Sequence, residues 1–399
     1  FLRPPVMRRA IALAPRLCRA GCTTAAAAGL ALASVRPWAR CEGTRQIWNR
    51  KSDKMQPIFD AEKAIFERMG IPYEAQDIMV PMDAGSRCFF STPATHYPVR
   101  TIVVGKQHTS KLPIVLVHGF MMGSPAFFKV LPLLAERRTV YCIDIMGMGA
   151  SGRPPFAASK LTADEAEKLL VEPFEAWAES VGLREFMLCG HSFGGFVAGS
   201  WAVRHPQRIR SLGLLSPCLG FGEDRLKKYE AKEDDPWQTR ALRCAIDAAW
   251  SKHITLHSLV RWVPGAKGWL ERGSRGRFQS MASSVTDEEG LLLSRYVVAS
   301  MDLPASTEQA LMVCFGPILR PVEVEGGTIK QRLARLRMPV FALYGDRDWM
   351  ERATEQELPN CRIGILGSSG HHLYLDNPVE LARLLEKEVT AVEGPGFSH

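Results

Sequence analysis

Short apolar runs bounded by glycine or proline recur along the chain: 113-PIVLVHG-119, 139-TVYCIDIMG-147, 185-EFMLCGHS-192, 211-SLGLLSP-217 and 338-MPVFALYG-345. Each is too short for a helix and lacks the polar alternation of a strand with one wet face, so each reads as a strand buried on both sides. Helical stretches separate most of them, and strands joined by helical crossovers form a parallel sheet covered on both faces. Two further strand-like pieces, 76-QDIMVPM-82 and 87-RCFFST-92, precede the first run, and 361-CRIGILG-367 follows the last. Ahead of them all, 57-PIFDAEKAIFERMG-70 places Ile58, Ala61, Ile65, Phe66 and Met69 on one helical face, with Pro57 at the start and Gly70 at the stop.

About 120 residues without a comparable strand run lie between Pro217 and Met338. They read as an inserted helical lid, which divides the chain into a leader (1–50), an N-terminal amphipathic helix (51–75), a first core part (76–220), the lid (221–335) and a second core part (336–399). Ligands of parallel α/β sheets sit at the carboxyl ends of the strands, and the chemistry is sought there.

The segment 190-GHSFGG-195 is a G-x-S-x-G placed directly after an apolar strand and before the helix-like 195-GFVAGSWAVRHP-206. Glycines on either side permit a strained turn that pushes the Ser192 hydroxyl out of the backbone. A serine at that position, rather than an aspartate, selects acyl transfer. A serine hydroxyl needs a base, and the base needs an acid to orient it. Both occur later in the chain. Asp348 in 344-YGDRDWM-350 leads the turn away from a strand, with Asp346 as the alternative acid; His371 in 369-SGHHLYLDNP-378 follows Gly370 in a loop, with His372 as the alternative base. Oxyanion donors are expected from the backbone N–H of Phe193, at a helix start, and of Phe120 in 118-HGFMMG-123. His118 and His191 are expected to shape turns or pocket walls by hydrogen bonding. No metal-ligand spacing, phosphate loop or dinucleotide fingerprint competes, and 145-IMGMGASG-152 reads as a turn, so neither a metal nor a cofactor is expected.

Together, 118-HGF, 143-IDIMGMGASGRPPF-156, 190-GHSFGGFVA-198, 344-YGDRDWM-350 and 371-HHLYLD-376 resemble the α/β-hydrolase-domain subfamily 4/5. That group includes N-acyl-phospholipid lipases, lipase co-activators, plant lipid-homeostasis proteins and fungal mitochondrial cardiolipin deacylases. The resemblance runs from roughly residue 75 to 390 and is weakest over the lid. It implies an α/β-hydrolase fold with the lid inserted before the acid-bearing strand, a triad of Ser192, Asp348 and His371, and an H-x4-D motif made by His371 and Asp376. It also implies a glycerophospholipid or lysophospholipid substrate, cardiolipin included. Three functions follow: a serine-dependent phospholipid esterase, a lysophosphatidic acid acyltransferase using the same triad, or a lipid-binding scaffold that regulates a lipase. Some co-activators lack the serine, so its presence favours an enzyme. Asp376 also has a plain reading: Asn377, Pro378 and Glu380 make an N-cap, first-turn proline and N3 glutamate, and an acid just before that cap favours the helix start.

Charge refines this picture at two places. Residues 1–41 hold seven arginines and no acid, which accounts for +7 of the net +8; from Glu42 onward 43 basic side chains meet 42 acidic ones. The folded part therefore lacks the basic field of a nucleic-acid binder. The leader has the composition of a mitochondrial or plastid import sequence, with a disordered or fragmentary terminus as the plain alternative. A mitochondrial location is the expectation; a plastid or a cytoplasmic lipid surface is the alternative. Within the lid, Arg261 and Lys267 are interleaved with Trp262 and Trp269, a pairing that suits a peripheral membrane surface or, alternatively, an ordinary solvated lid face. Trp237 and Trp250 are expected in the core. The ten cysteines include no C-x-x-C pair and read as reduced thiols, with Cys142 and Cys189 packed inside strands. No oligomeric state is legible.

Overall fold

The computed structural model describes residues 54–82, 95–230, 235–281 and 284–393; the leader and the strand-like 87–92 lie outside the described residues. The chain enters through α1 (Gln56–Phe66), whose last turn tightens over Glu67–Met69 and stops at Gly70 with φ 67°. Ile58, Ala61, Ile65, Phe66 and Met69 are all buried, as their helical spacing predicts.

The sheet contains β1 (Glu74–Met82), β2 (Thr95–Val104), β3 (Ile114–Val117), β4 (Val140–Ile143), β5 (Phe186–His191), β6 (Ile209–Leu215), β9 (Val340–Gly345) and β10 (Cys361–Leu366), in the order β1-β2-β4-β3-β5-β6-β9-β10. β2 runs antiparallel to both its neighbours, and all other adjacent pairs are parallel. β2 was not expected from the sequence, because Pro98 interrupts it. The structure tolerates the proline since only Thr101–Val104 pair with β4, so the missing N–H removes no bond on that side.

Strand side chains alternate between two cores. Ile114, Leu116, Met187, Cys189, Phe341 and Leu343 join one, with α1, α2 (Leu131–Ala135) and α13 (Pro378–Val392). Val115, Val117, Phe186, Leu188, Val340 and Ala342 join the other, with α3 (Ala163–Ser180), α4 (Phe193–Arg204) and α11 (Ile329–Leu333). Cys142 and Cys189 are packing residues, fully buried.

Between β6 and β9 lie α5 (Glu223–Tyr229), α6 (Trp237–Ser251), α7 (Leu256–Trp262), α8 (Ala266–Met281), α9 (Asp287–Met301), α10 (Ala310–Cys314), the two-residue strands β7 (Phe315–Gly316) and β8 (Arg320–Pro321), and α11. This insertion is not uniform. α6 buries no side chain, whereas α9 sinks Leu293, Tyr296, Val297 and Met301 into the first core and starts at a capping box of Thr286 and Glu289. Trp237 is half exposed rather than core, at the start of a helix that buries none of its side chains. Trp250 is half-buried, its indole N–H donating to the Phe315 carbonyl at 2.7 Å. A short α12 (Leu373–Asp376) follows β10 and leads into α13.

Candidate active site

β5 ends at His191 and α4 begins at Phe193, so Ser192 alone makes the turn, with φ 53° and ψ −119°. A non-glycine residue in that region costs on the order of 1–3 kcal/mol, so its surroundings must hold it. The Ser192 N–H donates to the Leu215 carbonyl at 2.9 Å, and its own carbonyl accepts from Gly195 (2.9 Å) and Cys218 (2.8 Å). Close approach forces the flanking glycines: a Cβ on Gly190 would lie 2.1 Å from the Gly194 carbonyl oxygen, and one on Gly194 2.2 Å from that of His118. The Ser192 hydroxyl does not cap the helix that it precedes. It points instead to His371.

The Ser192 hydroxyl lies 3.0 Å from His371 Nε2, and His371 Nδ1 lies 2.9 Å from Asp348 Oδ1. An ionised carboxylate only accepts, so Nδ1 carries the proton and Nε2 presents its lone pair to the serine. Asp348 Oδ1 also accepts from the Met350 N–H at 3.0 Å. Burial alone would raise the Asp348 carboxyl, but the hydrogen bond and charge interaction with His371 outweigh it and hold the group below the usual aspartate range. The imidazole is nearly buried, with Trp349 4.8 Å from it, ring to ring.

The alternatives from the sequence have other work. Asp346 accepts from the Ser369 N–H at 2.7 Å, and the Arg347 N–H reaches the Ser369 carbonyl at 2.9 Å, so this acid ties the Asp348 loop to the His371 loop. His372 packs against Phe278 of α8 at 5.5 Å and faces neither Ser192 nor Asp348; burial first, then the neighbouring His371, pushes its pKa well down. Asp376 touches no imidazole. Its Oδ2 accepts from the Gly370 N–H at 2.7 Å, anchoring the residue before His371. Burial raises the Asp376 carboxyl despite that bond. Asn377 caps α13 by accepting from the Glu380 N–H at 3.3 Å.

His191 and His118 hold backbone in place. The His191 Nε2–H donates to the His371 carbonyl at 2.8 Å, which leaves Nδ1 to accept from the Tyr374 hydroxyl at 3.4 Å. Burial, then the adjacent His371, keeps His191 neutral by pushing its pKa far below the ordinary value. His118 Nε2 accepts from the Ile145 N–H at 2.9 Å, and its Nδ1–H donates to the Gly119 carbonyl at 2.8 Å.

The sequence reading missed Asp144, which is fully buried. It accepts from Ser124 N–H (2.6 Å) and hydroxyl (2.5 Å), from Ala150 N–H (2.8 Å) and from the Tyr296 hydroxyl of α9 (3.3 Å). Its signal was present as the acid that opens D-x-x-G-x-G. The backbone N–H groups of Phe120 and Phe193 donate to no backbone carbonyl among the described residues outside regular elements, and the two rings meet edge to face at 6.3 Å beside Ser192. Of the lid residues, Trp262 and Trp269 are half exposed. Arg261 and Lys267 are engaged within the protein, Arg261 with the Leu303 carbonyl and Lys267 with Asp302 at 2.8 Å.

Residues 113–378 match the family described as the alpha/beta hydrolase fold. Among similar proteins, a 1-acylglycerol-3-phosphate O-acyltransferase of Arabidopsis thaliana is 29% identical over 81% of this chain and 77% of its own length. A (lyso)-N-acylphosphatidylethanolamine lipase of Homo sapiens is 27% identical over 73% of this chain and 83% of its own. In fold, an esterase from Thermogutta terrifontis superposes with a TM-score of 0.56 at 18% identity, covering 80% of this chain and all of that one. The elbow serine, the eight-stranded sheet and these matches agree, and the chain belongs to the α/β-hydrolase fold family, with relatives of the 4/5 type.

Proposed function

We propose that this protein is a serine-dependent carboxylic ester hydrolase acting on glycerophospholipids or lysophospholipids, with cardiolipin as the organellar candidate. The observation that carries this reading is the continuous relay from Ser192 through His371 to Asp348, at 3.0 and 2.9 Å, on a turn that leaves the serine hydroxyl uncommitted. Ser192 Oγ attacks the acyl carbonyl while His371 Nε2 takes its proton. The N–H groups of Phe120 and Phe193 receive the oxyanion. His371 then protonates the departing alcohol, and a water activated by the same nitrogen releases the fatty acid. The phospholipid class is supported by relatives whose names specify phospholipid substrates.

A second reading, transfer of the acyl group to lysophosphatidic acid, is favoured by the relatives named as acyltransferases. The position of Asp376 favours hydrolysis: one of its oxygens is held by the Gly370 N–H and the carboxyl is buried rather than open to an acceptor hydroxyl. A scaffold without chemistry fits the formed relay least. Peripheral membrane binding and a mitochondrial address belong to the same proposal, resting on the exposed lid tryptophans and on the arginine-rich leader.

Purified protein incubated with labelled phospholipid, with and without lysophosphatidic acid, separates these readings. Hydrolysis yields free fatty acid without the acceptor; product formed only with the acceptor overturns hydrolysis. Ser192→Ala should lower turnover by 10³-fold or more, on the order expected for loss of a nucleophile, and abolish labelling by a fluorophosphonate. Labelling that survives the substitution overturns the nucleophile assignment.

A further inference from the structure

Buried polar side-chain atoms ordinarily find partners, and leaving one without costs about 1–3 kcal/mol. Among the described residues, atoms left without one gather around Arg153: its own Nε, both ring nitrogens of His257, Ser300 Oγ and Glu308 Oε1. All four residues are nine-tenths or more buried. They come from separate elements. Arg153 follows the turn closed by Asp144, and its guanidinium donates to the carbonyls of Gly147, Gly149 and Ser300. His257 lies on the inner face of α7, Ser300 on α9, and Glu308 in the link to α10, where its other oxygen accepts from the Ser306 N–H at 2.5 Å. The Arg153 and Arg261 charges both act on the His257 ring, and Glu308 is the leading opposite charge for Arg153.

This neighbourhood adjoins the reaction centre. The His257 ring meets the Phe120 ring edge to face at 5.7 Å, and Phe120 in turn meets Phe193 beside Ser192. One aromatic side chain, Phe120, therefore separates the orphaned His257 ring from the Phe193 N–H assigned to the oxyanion. In a glycerophospholipid a few covalent bonds separate the scissile carbonyl from the phosphate, so a substrate held at Ser192 would carry its headgroup a short way from the oxyanion loop. The unpaired atoms form a mixed set. Arg153 Nε–H, a His257 N–H and the Ser300 hydroxyl donate, as phosphate oxygens require, while Glu308 Oε1 accepts, as a glycerol hydroxyl requires.

We propose that Arg153, His257, Ser300 and Glu308 form the headgroup subsite, taking a glycerol-linked phosphate through the first three and a free glycerol hydroxyl through Glu308. This rests on the glycerophospholipid reading above and deepens it: the site would select a phosphate-bearing ester over a neutral glyceride. Arg153 also clamps the turn around Gly147, so substituting it would confuse folding with binding. His257 and Glu308 are the informative positions.

The test has a binding arm and a kinetic arm. Ser192→Ala protein is titrated calorimetrically with glycerol 3-phosphate, glycerol and inorganic phosphate, and the titrations are repeated after adding His257→Gln or Glu308→Gln, with thermal melts to verify folding. Glycerol 3-phosphate should bind more tightly than either other probe, and each added substitution should weaken it about tenfold, the loss of roughly one charge-assisted bond. In the active protein, kcat/KM for dioctanoyl phosphatidic acid relative to dioctanoylglycerol should fall about tenfold in a folded His257→Gln, mainly through KM. Equal binding before and after substitution, or an unchanged kinetic ratio, overturns the subsite. Inorganic phosphate binding as tightly as glycerol 3-phosphate overturns the headgroup assignment in favour of a free-anion site. Ester cleavage that persists in Ser192→Ala defeats the proposed mechanism alone, since the binding arm reads the subsite without turnover.

Discussion

At the scale of single residues, the site depends on backbone ties as much as on its three polar side chains. His371 is held from both sides: Asp376 fixes the preceding N–H at Gly370, and His191 fixes the carbonyl of His371 itself. Asp376→Ala should therefore lower hydrolysis and any acyl transfer by a similar factor, because both use the same imidazole; a loss confined to transfer, measured on one preparation, would give Asp376 a role with the acceptor. Asp348 makes a pH-dependent contribution. Its pKa in the folded protein lies below the ordinary value of 3.8, so the stability it supplies is complete above that value and is lost as pH falls through the lower folded one. Denaturant titrations of wild type and Asp348→Asn should differ at neutral pH, begin to converge as pH falls past about 3.8, and meet only below the lower folded value. At neutral pH the substitution should also reduce kcat by about 10³–10⁴-fold, since the asparagine no longer selects the useful tautomer.

At the scale of elements, the strand–turn–helix around Ser192 was legible because three constraints coincide there: an apolar run, glycines where backbones approach to within about a Cβ radius, and a helical stretch afterwards. β2 was not legible, because a proline and a mixed polar pattern conceal a strand that pairs fully on one side only. The insertion was recognisable by its lack of strand runs, but its division into buried α9 and exposed α6 was not. Amphipathic periodicity tells which face of a helix is apolar and leaves open whether anything covers it. Leu256, Leu259 and Trp262 on α7 and Val263 just after it are exposed, and Trp269 on α8 is half exposed a few residues on. The proposed peripheral membrane binding rests on these exposed side chains. Trp262→Ala combined with Trp269→Ala should weaken partition onto vesicles containing anionic lipid on the order of tenfold, as expected for losing apolar surface that would enter the interface. Unchanged co-sedimentation would mark the tryptophans as an ordinary solvated face.

At the scale of the whole molecule, distant segments are joined through buried charge. Arg138, with no exposed side-chain surface, bonds Glu386, Glu393 and Thr390 and so clamps the C-terminal α13 to the segment after α2. Arg138→Met should destabilise the fold by about 3–5 kcal/mol, because it removes a buried cation from two part-buried carboxylates and leaves Glu393 to the more exposed Lys111. A denaturant melt measures this directly, and a loss under 1 kcal/mol would show that the carboxylates find water instead. Asp144 performs a similar service nearer the site, joining Ser124, Ala150 and the Tyr296 of α9. The sequence by itself determined the mostly parallel sheet, the strand–turn–helix around Ser192, and the order in which the serine, the acids and the histidines follow, since these come from local patterning and from chemistry that admits few residue types. Tertiary structure alone set which of Asp348 and Asp346 bonds the imidazole, which of His371 and His372 faces Ser192, and that Asp376 bonds the Gly370 backbone. The members of the two pairs lie two residues and one residue apart and differ only in which way the fold points them. The unpaired atoms of Arg153, His257, Ser300 and Glu308 were likewise invisible in the chain, because these residues lie on separate elements that come together only as the insertion folds back over the turn that Asp144 closes.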